Sequence, residues 1–309
     1  MDESHDDEDP SVNVAVFYND EAGASAGSTE MRRRIERHGH HVVQMVDKDL
    51  GVERLFDRAA DLIVVVGGDG TVASVAREVA GHDVPLAVLP VGTANNIALS
   101  LGCDGPLDAL IDHWPRAVSR RADLGLARGP WGERRFVEAV GGGLVARSIA
   151  AIDAQPLDQS HEPDHRIELA VGGYLNVLSR LGTDRWSFEL DGARTEGEFL
   201  LVEVLNMISI GPNFVVSEAT DAFDGVFTVA LAREEDRGQL VAYWQARMAG
   251  EAAPLHLQTQ SATRVVLTRG SDLHVDDVLF TWPESGGVEL SVERGVLPVL
   301  LGPGLEIGA

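Results

Sequence analysis

Six residues, Asp61-Leu62-Ile63-Val64-Val65-Val66, run without interruption into Gly67-Gly68-Asp69-Gly70-Thr71, and a helical pattern continues over 71–80. A short continuous apolar run rich in β-branched residues reads as a strand buried on both faces. Such a strand belongs in a sheet covered by helices above and below. The same pattern recurs through the first third of the chain. Residues 12–18 (VNVAVFY) read as a first buried strand, 28–38 as a polar helix and 41–46 as a second strand. Residues 52–60 have helical spacing, and VPLAVL at 84–89 is a further buried strand before a helix near 94–101. Alternating strand and helix predict an open, mostly parallel α/β sheet.

The character changes after about residue 122. Segments 135–140, 185–190, 199–206, 225–231, 263–268, 273–280 and 287–293 read as strands, with turn signals at Asp191-Gly192 and Gly286-Gly287. Helices are expected at 166–181 and 236–249. The second half is therefore mainly β, a sandwich or barrel with inserted helices. A chain of 309 residues exceeds the size at which single cores stop growing, about 250 residues, so two domains are expected. The boundaries fall at 1–10 for an acidic, solvated tail, 11–125 for the α/β domain and 126–309 for the β-rich domain, whose last strand has the option of returning to the first.

Acidic residues number 49 against 25 basic ones, a net charge of −24, and Lys48 is the single lysine. Such a surface repels nucleic acid, which is bound through Lys and Arg on phosphates, and it repels bare anionic membranes. The scarcity of lysine points to adaptation to molar salt, where a Debye length of about 3 Å screens acidic self-repulsion. An ordinary acidic cytosolic protein is the alternative. No run of about 18 apolar residues occurs, so no transmembrane helix is expected. The opening MDESHDDEDP has no apolar h-region and is not expected to act as a signal peptide. Cys103 stands alone, which excludes an internal disulfide and fits a reducing, cytoplasmic interior.

Two loops carry the chemistry. In the first, Gly67, Gly68 and Gly70 let the backbone approach a ligand closely, and the free amides of the following helix favour an anion. Asp69 is the odd member. A carboxylate beside phosphate has a purpose if it holds Mg²⁺ or takes a proton from an attacking hydroxyl. A plain tight turn is the simpler alternative. The loop is not a Walker A motif, since no Gly-Lys-Ser/Thr follows. The second loop is Pro90-Val91-Gly92-Thr93-Ala94-Asn95-Asn96-Ile97-Ala98. Thr93 is placed as an N-cap, and the adjacent Asn95 and Asn96, poor helix formers, suit polar contacts to a ligand or to the loop itself. Both loops follow neighbouring strands, where parallel sheets bind ligands.

GGDGT followed by PVGTANNIA at this spacing resembles the catalytic domain of diacylglycerol kinases, sphingosine kinases and bacterial lipid kinases. Asn19 in VFYND, Arg121-Ala122-Asp123-Leu124-Gly125, Gly141 to Gly143, Gly173-Tyr174 and the segment 206–225 ending in Asp224-Gly225 extend the resemblance over nearly everything after the tail. It implies two domains, an ATP-dependent transfer to a lipid hydroxyl in the cleft between them, and a lipid partner at a membrane surface. The protein would then be peripheral there, with a homodimer as one possible assembly. By position, Asn19, Gly67, Gly68, Asp69, Gly70, Thr71, Gly92, Thr93, Asn95 and Asn96 would bind ATP. Asp224 would ligate a structural Mg²⁺ with carbonyls near Asp221 and Val226, though Asp224-Gly225 also reads as a plain hairpin turn.

Departures from the family pattern bear on catalysis. Ser74 replaces a glutamate usual near the start of the helix after GGDGT, and Asn96 replaces a common aspartate. The family's late Asp-Gly-Glu motif reads His274-Val275-Asp276-Asp277-Val278, so Asp276 fits and Val278 stands where a proposed base would be. Read as a strand, the segment turns Asp277 to the opposite face from Asp276. The candidate catalytic groups are accordingly Asp69, Asp277 and Asp276. Two alternatives stay open: a soluble-substrate kinase such as NAD kinase, which shares GGDGT, and a nucleotide- or lipid-binding regulator without catalysis, favoured by Val278 and Ser74. His161-Glu162-Pro163-Asp164-His165 matches a zinc-peptidase pattern, but Pro163 in its middle is expected to leave it a loop. His38, His40 and His41 are read as surface or strand-edge residues.

Overall fold

The computed structural model describes residues 11–19, 27–154, 163–283 and 286–305. The tail 1–10, residues 20–26 after Asn19, and His161 and Glu162 lie outside the described residues. The chain opens with β1 (Asn13–Tyr18), α1 (Ser28–Arg37), β2 (His41–Asp47), β3 (Leu62–Gly67), α2 (Asp69–Val79) and β4 (Leu86–Pro90). The four strands stand in the order β2-β1-β3-β4, all parallel, as the apolar runs predict. Every residue of β3 is buried. α2 covers it with Val72, Ala73, Val75, Ala76 and Val79, an apolar face at helical spacing.

Two readings of this region are corrected. Residues 52–60 form a 3₁₀ turn over Val52–Phe56, not an α-helix. Its buried residues, Val52 and Leu55, are three apart, which suits three residues per turn. His40 is buried and not at the surface. Its Nδ1 accepts the Val12 N–H, its Nε2 donates to the Ile111 carbonyl, and its ring lies 5.2 Å from that of Trp114. Burial accordingly lowers its pKa.

The chain continues through α3 (Asn96–Ser100), α4 (Leu107–His113), β5 (Ser119–Gly129), β6 (Gly132–Phe136), β7 (Ala139–Gly143) and α5 (Leu144–Asp153). Next come α6 (Pro163–Leu178), β8 (Asp184–Leu190), β9 (Ala193–Phe199), β10 (Leu201–Leu205) and the two-residue strands β11 (Ser209–Ile210) and β12 (Phe214–Val215). The last elements are β13 (Phe227–Ala232), α7 (Arg237–Met248), β14 (Gln258–Ala262), β15 (Arg264–Arg269), β16 (Leu273–Val275), β17 (Val278–Phe280) and β18 (Val288–Leu300).

β18, 13 residues long, stitches the molecule together. It pairs antiparallel with β15 at its start, antiparallel with β5 along its length, and in parallel with β4 at Val299↔Leu86. The parallel sheet is thereby extended through β18 into the antiparallel strands β15, β8 and β9. A second sheet, β14-β13-β10-β7-β16-β17, is antiparallel throughout. Phe136, Trp186, Phe188, Phe199 and Phe227 belong to one buried cluster shared by strands of both sheets. Gly142 makes room for the largest of them, since a Cβ there would lie 2.6 Å from the Trp186 indole. A separate cluster, with Tyr174, Phe214 and Trp244 in mutual ring contact, joins α5, α6 and α7 to the second sheet.

Three segment readings change here. Residues 135–140 are the end of β6 and the start of β7, broken at Val137-Glu138. Residues 273–280 are a hairpin, β16 and β17, with Asp276-Asp277 as its turn and Asp276 at φ +52°. The helix expected at 166–181 begins at Pro163, because the first helical position is where proline's missing N–H costs nothing.

Candidate active site

Gly67 ends β3, Gly68 is the N-cap of α2, and Asp69, Gly70 and Thr71 form its first turn. A glycine cap has no side chain to bond the helix amides, so those donors face the loop. The second loop lies directly against the first. A Cβ on Gly92 would fall 2.3 Å from the Gly68 Cα, so only glycine permits this approach. Asn95, at φ +56°, closes the second loop with its own side chain, accepting from Gly92 N–H and donating to Gly92 C=O, both at 3.0 Å. α3 starts at Asn96, so Thr93 stays in the loop and is not the N-cap. Asp69 caps α3 from outside, its Oδ1 accepting the Ile97 N–H at 2.9 Å. Asn19 follows β1 and donates its N–H to Val66 C=O at 3.4 Å. Asn19, the glycine turn and the second loop thus meet at the carboxyl ends of three adjacent parallel strands.

The second half of the chain closes over these loops. Asn96 donates to Gly211 C=O at 2.8 Å and accepts from Ser209 Oγ at 2.9 Å. Asp276 is buried and accepts from Val137 N–H, from Glu138 N–H at 2.8 Å, and from Arg77 of α2 at 2.7 Å. Its carboxylate is a clamp between hairpin, β6–β7 junction and α2. Asp277 reaches the first loop: a Cβ on Gly70 would lie 3.8 Å from its Oδ2. The strand alternation expected to turn Asp277 away does not apply, because both aspartates are turn residues.

A cavity of about 360 Å³ opens at this meeting point. Asp69, Glu138, Asp276 and Asp277 line one part of it, and Val145, Ile149, Ile152 and Ile210 another. Glu138 was not among the residues singled out from the sequence. Its signal was a lone acid inside the apolar segment FVEAV, which was read as an ordinary strand. Its Oε1 is buried without a hydrogen-bond partner. Burial raises the pKa of Asp69, opposed by the amides at the start of α3. Burial, and then the charges of Asp69 and Asp276, push Glu138 well up, against a hydrogen bond from Asn96. Burial raises Asp276 too, against the pull of Arg77.

One guanidinium, that of Arg77, leaves this crowd of carboxylates in excess of positive charge. The protonation of these carboxylates has a measurable consequence. These groups hold protons more tightly folded than unfolded, so the stability they contribute is full below the ordinary carboxylate range near pH 4 and is lost as pH rises through their folded values. In molar KCl, which screens the surface charge, the melting temperature should be several degrees lower at pH 8 than at pH 5.5. A melting temperature that climbs with pH would contradict this account.

Asp221, Asp224 and Val226 lie elsewhere, on the loop before β13. The Asp221 carboxylate accepts from Phe223 N–H and that of Asp224 from Val226 N–H. Asp123, beneath them, accepts from Gly225 and Gly295 N–H, each at 2.7 Å, and so ties the loop to the bulge in β18. Among the described residues no three His, Cys, Asp or Glu side chains converge as a ready metal-ligand set.

Residues 13–127 match the model of the diacylglycerol kinase catalytic domain. A diacylglycerol kinase of Mycobacterium tuberculosis (strain H37Rv) is 25% identical over 254 residues, covering 79% of this chain and 77% of the relative. One from Bacillus subtilis (strain 168) is 24% identical, covering 71% and 68%. A crystal structure of a diacylglycerol kinase from Bacillus anthracis str. Sterne superposes with a TM-score of 0.70 at 18% identity, over 94% of this chain and 97% of that one. Yeast NADH kinase complexed with NADH reaches a TM-score of 0.52 at 12% identity, over 95% and 84%. The fold, a mostly parallel sheet joined to an antiparallel domain, is thus shared with both. Among the described residues, no helix is long and apolar enough to cross a membrane.

Proposed function

We propose that this chain transfers the γ-phosphoryl group of ATP to the hydroxyl of diacylglycerol or a related glycerolipid. The observation that supports it most is the cavity where two glycine loops, a cluster of carboxylates and an apolar wall meet. Phosphoryl transfer depends mainly on positioning and charge neutralisation, and a lipid acceptor needs an apolar channel beside that charge. In this reading the backbones of Gly67, Gly68, Gly70 and Gly92, with Thr71, Thr93 and Asn19, hold the phosphates. Asn95 and Asn96 shape the second loop and fix it to the other half. Asp69 and Asp277 face the transfer point. Mg²⁺ arriving with ATP would supply neutralisation of the phosphate charge beside these loops. The Asp221–Val226 loop, with Asp224 and neighbouring carbonyls as hard oxygen donors, would hold a structural cation.

The test offers radiolabelled ATP and Mg²⁺ with diacylglycerol and other glycerolipids in detergent micelles, in low and in molar salt. Label in a lipid is the expected result, with more in molar salt. Bound ATP with no label in any lipid favours instead the regulator without catalysis, for which Val278 at the expected glutamate position is the observation. Label passing to NAD would establish a soluble-substrate kinase.

A further inference from the structure

We infer that Glu138 takes the proton from the acceptor hydroxyl, an assignment that rests on the lipid-kinase reading above. Its backbone is fixed on both sides: its N–H donates to Asp276, and its carbonyl accepts from Asn206 N–H at 2.8 Å and Met207 N–H at 3.2 Å. Its side chain lines the cavity beside Asp69 and Asn96, where the acidic part borders Ala139, Val145 and Ile149. The residue is 8% exposed, and its Oε1 is a buried acceptor with no donor. Buried polar atoms are nearly always satisfied, and one that opens on a cavity is placed to meet a group of a bound ligand. A hydroxyl carried in on a lipid, with its chains along α5, supplies that donor.

Two of the other carboxylates are less available. Asp276 is occupied by two amides and Arg77. Asp69 is held by the amide of Ile97. Val278, where the resemblance places a glutamate, has no acceptor at all. The chain thus has a glutamate facing the same cavity from a different strand junction. In the step, the hydroxyl oxygen bonds to the γ-phosphorus and the bond from that phosphorus to the β,γ-bridging oxygen breaks. ADP leaves with the electron pair, and the hydroxyl proton passes to Glu138 Oε1, which returns it to solvent after the products depart. Burial and neighbouring charges raise the proton affinity of this carboxylate, the direction a base working near neutral pH requires.

The experiment compares wild type with Glu138→Gln in the labelled-ATP assay with diacylglycerol micelles, across pH 5 to 9. Glu138→Gln should lose about 10²-fold or more in kcat, keep its KM for ATP within threefold, and lose the acid limb of the kcat profile. A variant with wild-type kcat, or with the acid limb intact, overturns the assignment. So does a loss confined to ATP binding, which would make Glu138 a binding residue. If Glu138→Gln does not fold, Glu138→Asp decides: kcat should fall at least tenfold with the acid limb kept, and full activity would refute the role. A wild type that labels no lipid overturns the kinase reading, and this assignment with it.

Discussion

Asp69→Asn should lower lipid phosphorylation by about 10²- to 10⁴-fold while leaving the protein folded and able to bind ATP. The separation is possible because Asp69 has two tasks. Its Oδ1 accepts the Ile97 N–H and so caps α3, which holds the second glycine loop in place. An asparagine carbonyl accepts the same bond. Its charge, by contrast, meets backbone amides but no cationic side chain among the described residues, and it lies in the cavity where the nucleotide phosphates and the hydroxyl would meet. Asp69→Ala loses both tasks, and the missing cap should cost a further ~1 kcal/mol of stability. Measuring kcat, ATP affinity and unfolding for both variants separates the two tasks. Asp69→Asn retaining activity within threefold of wild type would remove Asp69 from the chemistry and leave it a cap. Its sole role would then be to join two loops.

Glu203→Ala should destabilise the protein by about 3–5 kcal/mol, a large share of the roughly 5–15 kcal/mol that keeps a domain folded. Glu203 on β10 and His274 on β16 are both paired with Gly141 of the strand between them. Having no side chain, Gly141 lets them meet across it, and a Cβ there would lie 2.1 Å from Glu203 Oε2. His274 Nε2 lies 2.9 Å from that oxygen, and its Nδ1 donates to the Asp276 carbonyl at 2.8 Å. Both ring nitrogens face acceptors. Burial alone would lower the His274 pKa, but the Glu203 carboxylate outweighs it and the net direction is up. The alanine variant leaves a buried imidazolium without its counter-ion. Replacing both by leucine removes both charges and should restore most of the loss, since a buried pair adds little net stability over apolar residues. The double variant should nevertheless be a poorer enzyme, because the turn carrying Asp276 and Asp277 loses its bond to His274. Urea unfolding of the three proteins checks this. A loss below 1 kcal/mol in Glu203→Ala would show the pair to be dispensable.

How far the sequence carried can be seen residue by residue. The apolar runs at 61–66 and 84–89, each followed by a glycine turn and a helix pattern, were enough to predict the parallel sheet and the two loops. Those are local signals: burial on both faces demands uninterrupted apolar residues, and a tight turn demands glycine. Asp191-Gly192 likewise announced its hairpin, with φ values of +47° and +89°. The long strand β18 was readable only over 287–293, because Arg294-Gly295 interrupts its pattern at a bulge whose amide is satisfied by Asp123, 172 residues away.

What local pattern could not decide was which side chains would share one cavity. Asp277 is a candidate from the sequence, but whether it shares a side with Asp276 is undecided there, because the hairpin at 273–280 looks, by composition, like one strand. Glu138, Glu203 and His274 were each visible as a charged or polar residue inside an apolar run, yet nothing in the chain order says that they gather around Gly141 and Asp276. Backbone conformation is governed by neighbours a few residues apart, so sequence determined the elements and the loops. The electrostatics of the site depend on carboxylates brought together from positions 69, 138, 276 and 277, and only the tertiary structure fixed those distances, their burial and the proton affinities that follow.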